Sequence, residues 1–257
     1  MSDDTVRWVG GLVRGDFGRS LASGLPVGDL LRDRVFDTLV LTVPATLLAW
    51  SVALVWVGRL ARTPGRVVRG MSEASLAVGQ SVPDVVLGLA LVRIALETGW
   101  WPVGGQGDWE RASGLAAWIE LVRHAALPVF GLTMLMLPTL VRHLHAAVEE
   151  AGRAPFVRAA VARGLTPGHL YWRHELPIAL TTLTPLLGFS LAALLGGALV
   201  LEVVFAWPGV GPLLVDAVLA RDVPVVLGVV CASATLLVVS HAVSDVLQYA
   251  ADPRQRT

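Results

Sequence analysis

The chain has 257 residues, 54% of them hydrophobic and 16% charged, with a formal net charge of zero. Soluble globular domains carry about 25% charged residues, so there are too few charges here to solvate the surface of a core this apolar. The chain reads as a polytopic protein of the lipid bilayer. The neutral balance gives no footprint for nucleic acid, the single cysteine, Cys231, excludes an internal disulfide, and every basic residue is arginine.

Residues 1–37 hold five arginines and six aspartates without the apolar run of a signal peptide. Five later stretches approach the roughly 20 apolar residues that a membrane crossing needs. They are 38–57, 76–96, 125–141, 181–201 and 223–246. The second is interrupted by Pro83, Asp84 and Arg93, and Pro44, Pro138 and Pro185 fall in or near the others, as membrane helices tolerate. Arginine placement orients the spans. Arg59, Arg62, Arg66 and Arg69 follow the first stretch, and Arg142, Arg153, Arg158, Arg163 and Arg173 follow the third. Arg111 and Arg123 follow the second, Arg221 follows the fourth, and Arg254 and Arg256 lie in the tail. The loops after the first and third spans and the C-terminus are therefore expected in the cytoplasm. Residues 1–37 become an external segment, and residues 38–257 a transmembrane domain with a cytoplasmic loop at 142–180.

That loop has a definite local grammar. Ala159, Ala160 and Ala162 predict a slim helix over 156–163. Gly164 suits the left-handed residue that ends a helix. Thr166 and Pro167 suit the cap and first position of a second helix, which runs to about Glu175 before Pro177 breaks the chain into the fourth span. Arg158 and Arg163 offer bidentate partners to carboxylates. Physically the loop can either dock a protein or lie on anionic lipid.

The pattern Ala159-Ala160, three residues, Gly164, nine residues, His174, Glu175, Leu176-Pro177 resembles the "EAA" loop of ABC importer permeases. Arg158 stands where the motif has glutamate, and His174 where it has isoleucine. The arginine form AVARGL is similar to the dipeptide/oligopeptide/nickel branch. So are GDFGRSL before the first span, the run from Leu194 to Val230, and the terminal Asp252-Pro253-Arg254. The resemblance implies an all-α type I ABC importer transmembrane domain, here with about five helices. The family's first helix is expected ahead of GDFGRSL, so it is either absent or lost to a misassigned start. It implies that the loop is a coupling helix gripped by an ATPase, through Arg158, Ala159, Ala160, Arg163, Gly164 and Leu165. It also implies a second homologous permease, two cytoplasmic ATP-binding subunits that bind the ATP and Mg, and an external substrate-binding protein. No cofactor is expected on this chain. A phosphate-binding P-loop needs a lysine, and none is present.

Ionisable residues within spans are candidates for the substrate path. Asp84 follows Pro83 and either starts a helical segment or lines the pore. Arg93 and Glu97 share a helix face and can pair. Glu202, with Phe205 behind it, sits at the outer end of the fourth span, where the family has a similar acidic residue near the external mouth. Trp207-Pro208-Gly209-Val210-Gly211 reads as an external turn with an interfacial aromatic, either re-entrant or gating. Ser240, His241 and Asp245 contain hydrolase ingredients, but Ser240 faces away from the other two at helical spacing. His143, His145, His169 and His174 are spaced poorly for a metal. An intramembrane hydrolase and an ion-gradient-driven secondary transporter are the alternatives to an ATP-driven permease for peptides or a related small solute.

Overall fold

A tight turn precedes the first long helix. Gly24 takes φ +70°, its N–H bonds the Ser20 carbonyl, and the Val27 N–H bonds the Gly18 carbonyl. Helix α1 (Val27–Arg62) then starts ahead of the apolar stretch that begins at Thr38, with Asp29 in its first turn complementing the helix dipole. In this computed structural model, which describes residues 17–62, 74, 77, 79–107 and 114–251, the order continues through α2 (Asp84–Thr98), α3 (Leu115–Gly152), α4 (Pro155–Ala162) and α5 (Pro167–Leu170). A π-helical turn (Tyr171–Glu175) leads into α6 (Leu176–Val204), followed by α7 (Val210–Leu219) and α8 (Val223–Ala251). The described residues contain no β-strand, only one isolated bridge between Arg19 and Pro26. Arg66, Arg69, Arg111, the start of the expected second span at Leu76 and the terminal Asp252-Pro253-Arg254 lie outside the described residues.

Helices α1, α3 and α8 are long and apolar enough to cross a membrane. Helix α6, 29 residues long, contains the fourth stretch. The second stretch is not one continuous helix. Its described residues are helical up to Ser81, break at Val82 and Pro83, and restart at Asp84, because proline disfavours helix in the residue before it and suits the first turn of a new one. Pro44 and Pro185 stay inside α1 and α6.

The chain divides into two compact units. One comprises the described residues of Met1–Val43, Asp84–Gly131 and Leu195–Leu236; the other comprises those of Pro44–Pro83, Leu132–Leu194 and Leu237–Thr257. In the first unit, Val27 and Leu31 pack with Val210, Ala217, Val225 and Val229. Gly88 admits Leu201: a Cβ there would lie 2.8 Å from Leu201 Cδ2. Small residues permit this close helix approach in membranes. In the second unit Gly188 plays the same part against the Ser240 carbonyl and Ser244, and the Ser244 hydroxyl donates to the Thr184 carbonyl.

Candidate functional site

The elbow between α3 and α6 is built by local rules and then fastened to its neighbours. Gly164 takes φ +80°. Its N–H bonds the Val161 carbonyl at 2.9 Å, and the Leu165 N–H bonds the Ala160 carbonyl at 3.4 Å. This pair of bonds is the glycine-terminated helix end that satisfies the last carbonyls of α4. Thr166 occupies the cap position of α5 with extended backbone, and Pro167 takes its first position. The Thr166 hydroxyl, however, makes no capping bond; its main-chain carbonyl receives the Leu170 N–H instead. The expected break at Pro177 is not found. Helix α6 begins at Leu176 and runs straight through Pro177. The wide π turn just before it shifts the hydrogen-bond register and makes room for the proline ring that an unbroken α-helix would crowd.

Val157 (1% exposed) and Ala160 (0%) turn inward against Leu170, with Ala154, Leu165 and Ile178 around them. Of the six docking residues read from the sequence, Ala160 and Leu165 therefore hold the elbow together. Arg158, Ala159, Arg163 and Gly164 face outward. Two further side chains of α4 are exposed, one on each side of the inward stripe: Phe156 is 52% exposed and Val161 55%. Motif matching does not single them out. The available signal is three bulky apolar residues in an eight-residue helix too short to bury them all.

The elbow is anchored at its far end. The Tyr171 hydroxyl donates to the Leu54 carbonyl at 2.7 Å, and its ring lies on Gly58. Burial, and then the nearby Glu175, push the Tyr171 phenol up to about 12. Burial also raises the Glu175 carboxyl. Glu175 lines a cavity of about 280 Å³ with Val57, His145, Glu149, Gly152 and Leu170. The His169 and His174 rings lie 5.8 Å apart, tilted. The described residues contain no cluster of three metal-ligating side chains.

The other candidates lie in the first unit. Asp84 is half-buried at the head of α2. Arg93 Nε donates to Glu97 at 2.8 Å on an exposed face. Glu202 is 0% and Phe205 2% exposed. The Glu202 carboxylate accepts the Gly211 N–H at 2.7 Å and packs on Gly209, so it organises the turn into α7. Trp207 is not an interfacial aromatic. It is fully buried, because its Nε1–H reaches the Asp37 carbonyl at 3.0 Å, giving a polar partner inside the protein. Arg34 donates to the Pro208 carbonyl and Gln106 to Asp37, completing the tie. Asp222, also missed, is 2% exposed and accepts from the Ser20 hydroxyl at 2.5 Å and the Ala22 N–H at 3.2 Å. It also caps α8 through the Val225 N–H. The clue was an aspartate two residues before a proline that opens an apolar run. In the second unit, His241 Nδ1 lies 2.9 Å from the Leu237 carbonyl of its own helix.

Long helices apolar enough to cross a membrane, joined by a short helical elbow, define an integral membrane protein. Residues 39–257 match the family of the binding-protein-dependent transport system inner membrane component, and the chain belongs to that family of permeases. It is 30% identical over 252 residues to the oligopeptide transport system permease protein AppB of Bacillus subtilis, a match that covers 97% of this chain and 78% of the relative. It is 33% identical over 254 residues to the probable peptide ABC transporter permease protein y4tP of Sinorhizobium fredii (98% and 79%). To the di/tripeptide transport system permease protein DppB of Pseudomonas aeruginosa it is 31% identical over 274 residues (97% and 79%). The protein is thus a transport permease of the inner membrane rather than an enzyme, working with other subunits of its system.

Proposed function

We propose that this chain forms half of the translocation pathway of an ATP-driven importer for peptides or a related small solute. It pairs with a second, homologous permease and receives cargo from an external binding protein. Two cytoplasmic ATP-binding subunits hold the ATP and Mg, and one of them grips α4. The named cargo of the oligopeptide, peptide and di/tripeptide relatives supports the peptide class. The arginines around the elbow support its cytoplasmic side. The absence of lysine supports a chain with no nucleotide site of its own.

The observation that carries this reading is the exposure of α4, whose Phe156 and Val161 stand more than half exposed on the same short helical elbow as the exposed Arg158 and Arg163. Bulky apolar groups flanked by arginine mark a protein-binding surface. A pull on α4 would reach α6 directly through the π turn, and α1 through Tyr171 and Leu54. The test is a Phe156→Ser/Val161→Ser double variant co-expressed with the partner subunits. Membrane insertion is expected to be normal, and recovery of the ATP-binding subunits with the purified permease to fall by about tenfold or more, as for loss of two anchoring contacts. Full recovery of the complex would overturn the docking role.

A further inference from the structure

Polar side chains gather where the second apolar stretch meets α3. Gly79 lets the two approach closely: a Cβ there would lie 3.3 Å from Pro138 Cγ. One residue on, Gln80 Nε2 donates to Thr139 Oγ1 at 3.2 Å, and Gln80 Oε1 accepts from the Arg142 guanidinium. Gln80, Ser81, Pro83 and Arg142 are all exposed. The helix breaks at Val82 and Pro83, well inside the stretch 76–96. Broken backbone at membrane depth is tolerated only where protein buries it or where it lines a water-filled passage. Pro83 is exposed, which leaves the passage, and polar side chains inside spans mark such paths. An arginine that only set the cytoplasmic side would snorkel out to the headgroups. Arg142 instead turns to a neutral amide, and none of the ion pairs among the described residues includes it.

These features define the group that binds. A guanidinium is a planar fork of N–H donors with no acceptor, and Gln80 engages Nη2 alone. The rest of the fork matches a carboxylate bidentately, while the Gln80–Thr139 bond holds it in place. We propose that Arg142, positioned by Gln80, is a station on the transport path that binds the C-terminal carboxylate of a peptide. This rests on the reading of the chain as a peptide permease. A lipid phosphate offers the same anionic oxygens, and the experiment separates the two sources.

The test uses the complete transporter in nanodiscs, with Cys231→Ser and Ser81→Cys introduced so that one thiol of this chain, next to Gln80, reports on the site. The water-soluble anionic reagent 2-sulfonatoethyl methanethiosulfonate is expected to label it. Arg142→Gln should slow that labelling by about threefold, as loss of one nearby charge would, and leave neutral methyl methanethiosulfonate unaffected. Trileucine at ten times its half-maximal concentration is expected to slow labelling by about tenfold. Trileucine amide, which lacks the carboxylate, should leave it nearly unchanged. Arg142→Gln erases that difference. Gln80→Leu keeps the charge but frees the fork from its anchor, and should weaken trileucine protection by about threefold, so the test does not hang on one variant folding. Absence of labelling by the anionic reagent means the stretch is shut off from water and overturns the site. So does equal protection by acid and amide, or protection that survives Arg142→Gln, in a preparation that imports trileucine; the peptide reading then stands. Failure to import any peptide sinks that reading and the site with it. Labelling that follows the share of phosphatidylglycerol in the nanodisc and ignores peptide assigns Arg142 to lipid phosphate and also overturns the proposal.

Discussion

The Tyr171 hydroxyl donates to the Leu54 carbonyl at 2.7 Å, and the same ring covers Gly58 on the next turn of α1. A Cβ at position 58 would lie 2.7 Å from Tyr171 Cε1. Gly58→Ala is therefore expected to destabilise the protein by about 1–3 kcal/mol, the usual cost of overpacking. Tyr171→Phe should cost about 1 kcal/mol for the lost bond. Denaturation midpoints of the purified complex measure both, and an unchanged midpoint for Gly58→Ala would contradict the packing described.

Tyr171 also sets a pH dependence. Its phenol is raised to about 12, so the stability it contributes is fully present below the ordinary tyrosine value of about 10. That stability is lost as pH rises through the folded value. Unfolding scans across this alkaline window should show a decline that Tyr171→Phe lacks.

Asp222 works in the opposite direction. Burial pushes its carboxyl up, but bonds from the Ser20 hydroxyl and from the main chain at Leu21, Ala22 and Val225 outweigh it and hold the group below its ordinary value. Its contribution is present above about pH 4 and lost as pH falls through the folded value. Asp222→Ala is expected to cost about 1.5–3 kcal/mol, the range for hydrogen bonds to a charged group. Ser20→Ala should add little to that variant, and acid unfolding curves of the single and double variants check the shared bond.

Gly209 and Glu202 form a coupled pair. A Cβ on Gly209 would run into the Glu202 carboxylate, which meanwhile bonds the Gly211 N–H. Gly209→Ala and Glu202→Ala should each destabilise. The double variant should be less damaged than the sum, by about 0.5–3 kcal/mol in a double-mutant cycle. Strict additivity would show that the carboxylate does not fill the space beside Gly209.

A Cβ added at Gly164 would meet nothing within 4 Å, so only the backbone at φ +80° resists substitution. Gly164→Asn, which tolerates this region, should assemble with the ATP-binding subunits nearly as well as the native chain. Gly164→Val should lose about 1–2 kcal/mol of elbow stability. Gly164→Asp adds a negative charge to the proposed docking surface and should weaken assembly while insertion stays normal. Subunit ratios after purification distinguish the three.

Much of this protein was legible from residue order alone. Apolar runs of span length and the alanine–glycine–proline grammar of the elbow are local patterns, and local patterns dictate helices and their ends. The outcomes at Ala160, Trp207 and Pro177 depended on what each met in space. Ala160 turned inward because Leu170 and Val157 offered it a pocket. Trp207 left the interface because the Asp37 carbonyl, distant in sequence, accepted its N–H.

Hydropathy and charge determined that the chain lives in a bilayer as helices, since only internally bonded backbone survives in hydrocarbon. They also marked where it turns and which loop stays polar. Tertiary structure alone decided which side chains of that loop stay exposed, that Tyr171 fastens it to α1, and that Trp207 is buried with the Asp37 carbonyl as its partner. The physical reason is that burial and hydrogen-bond satisfaction are properties of neighbours brought together by folding, and no spacing along the chain records which neighbours those will be.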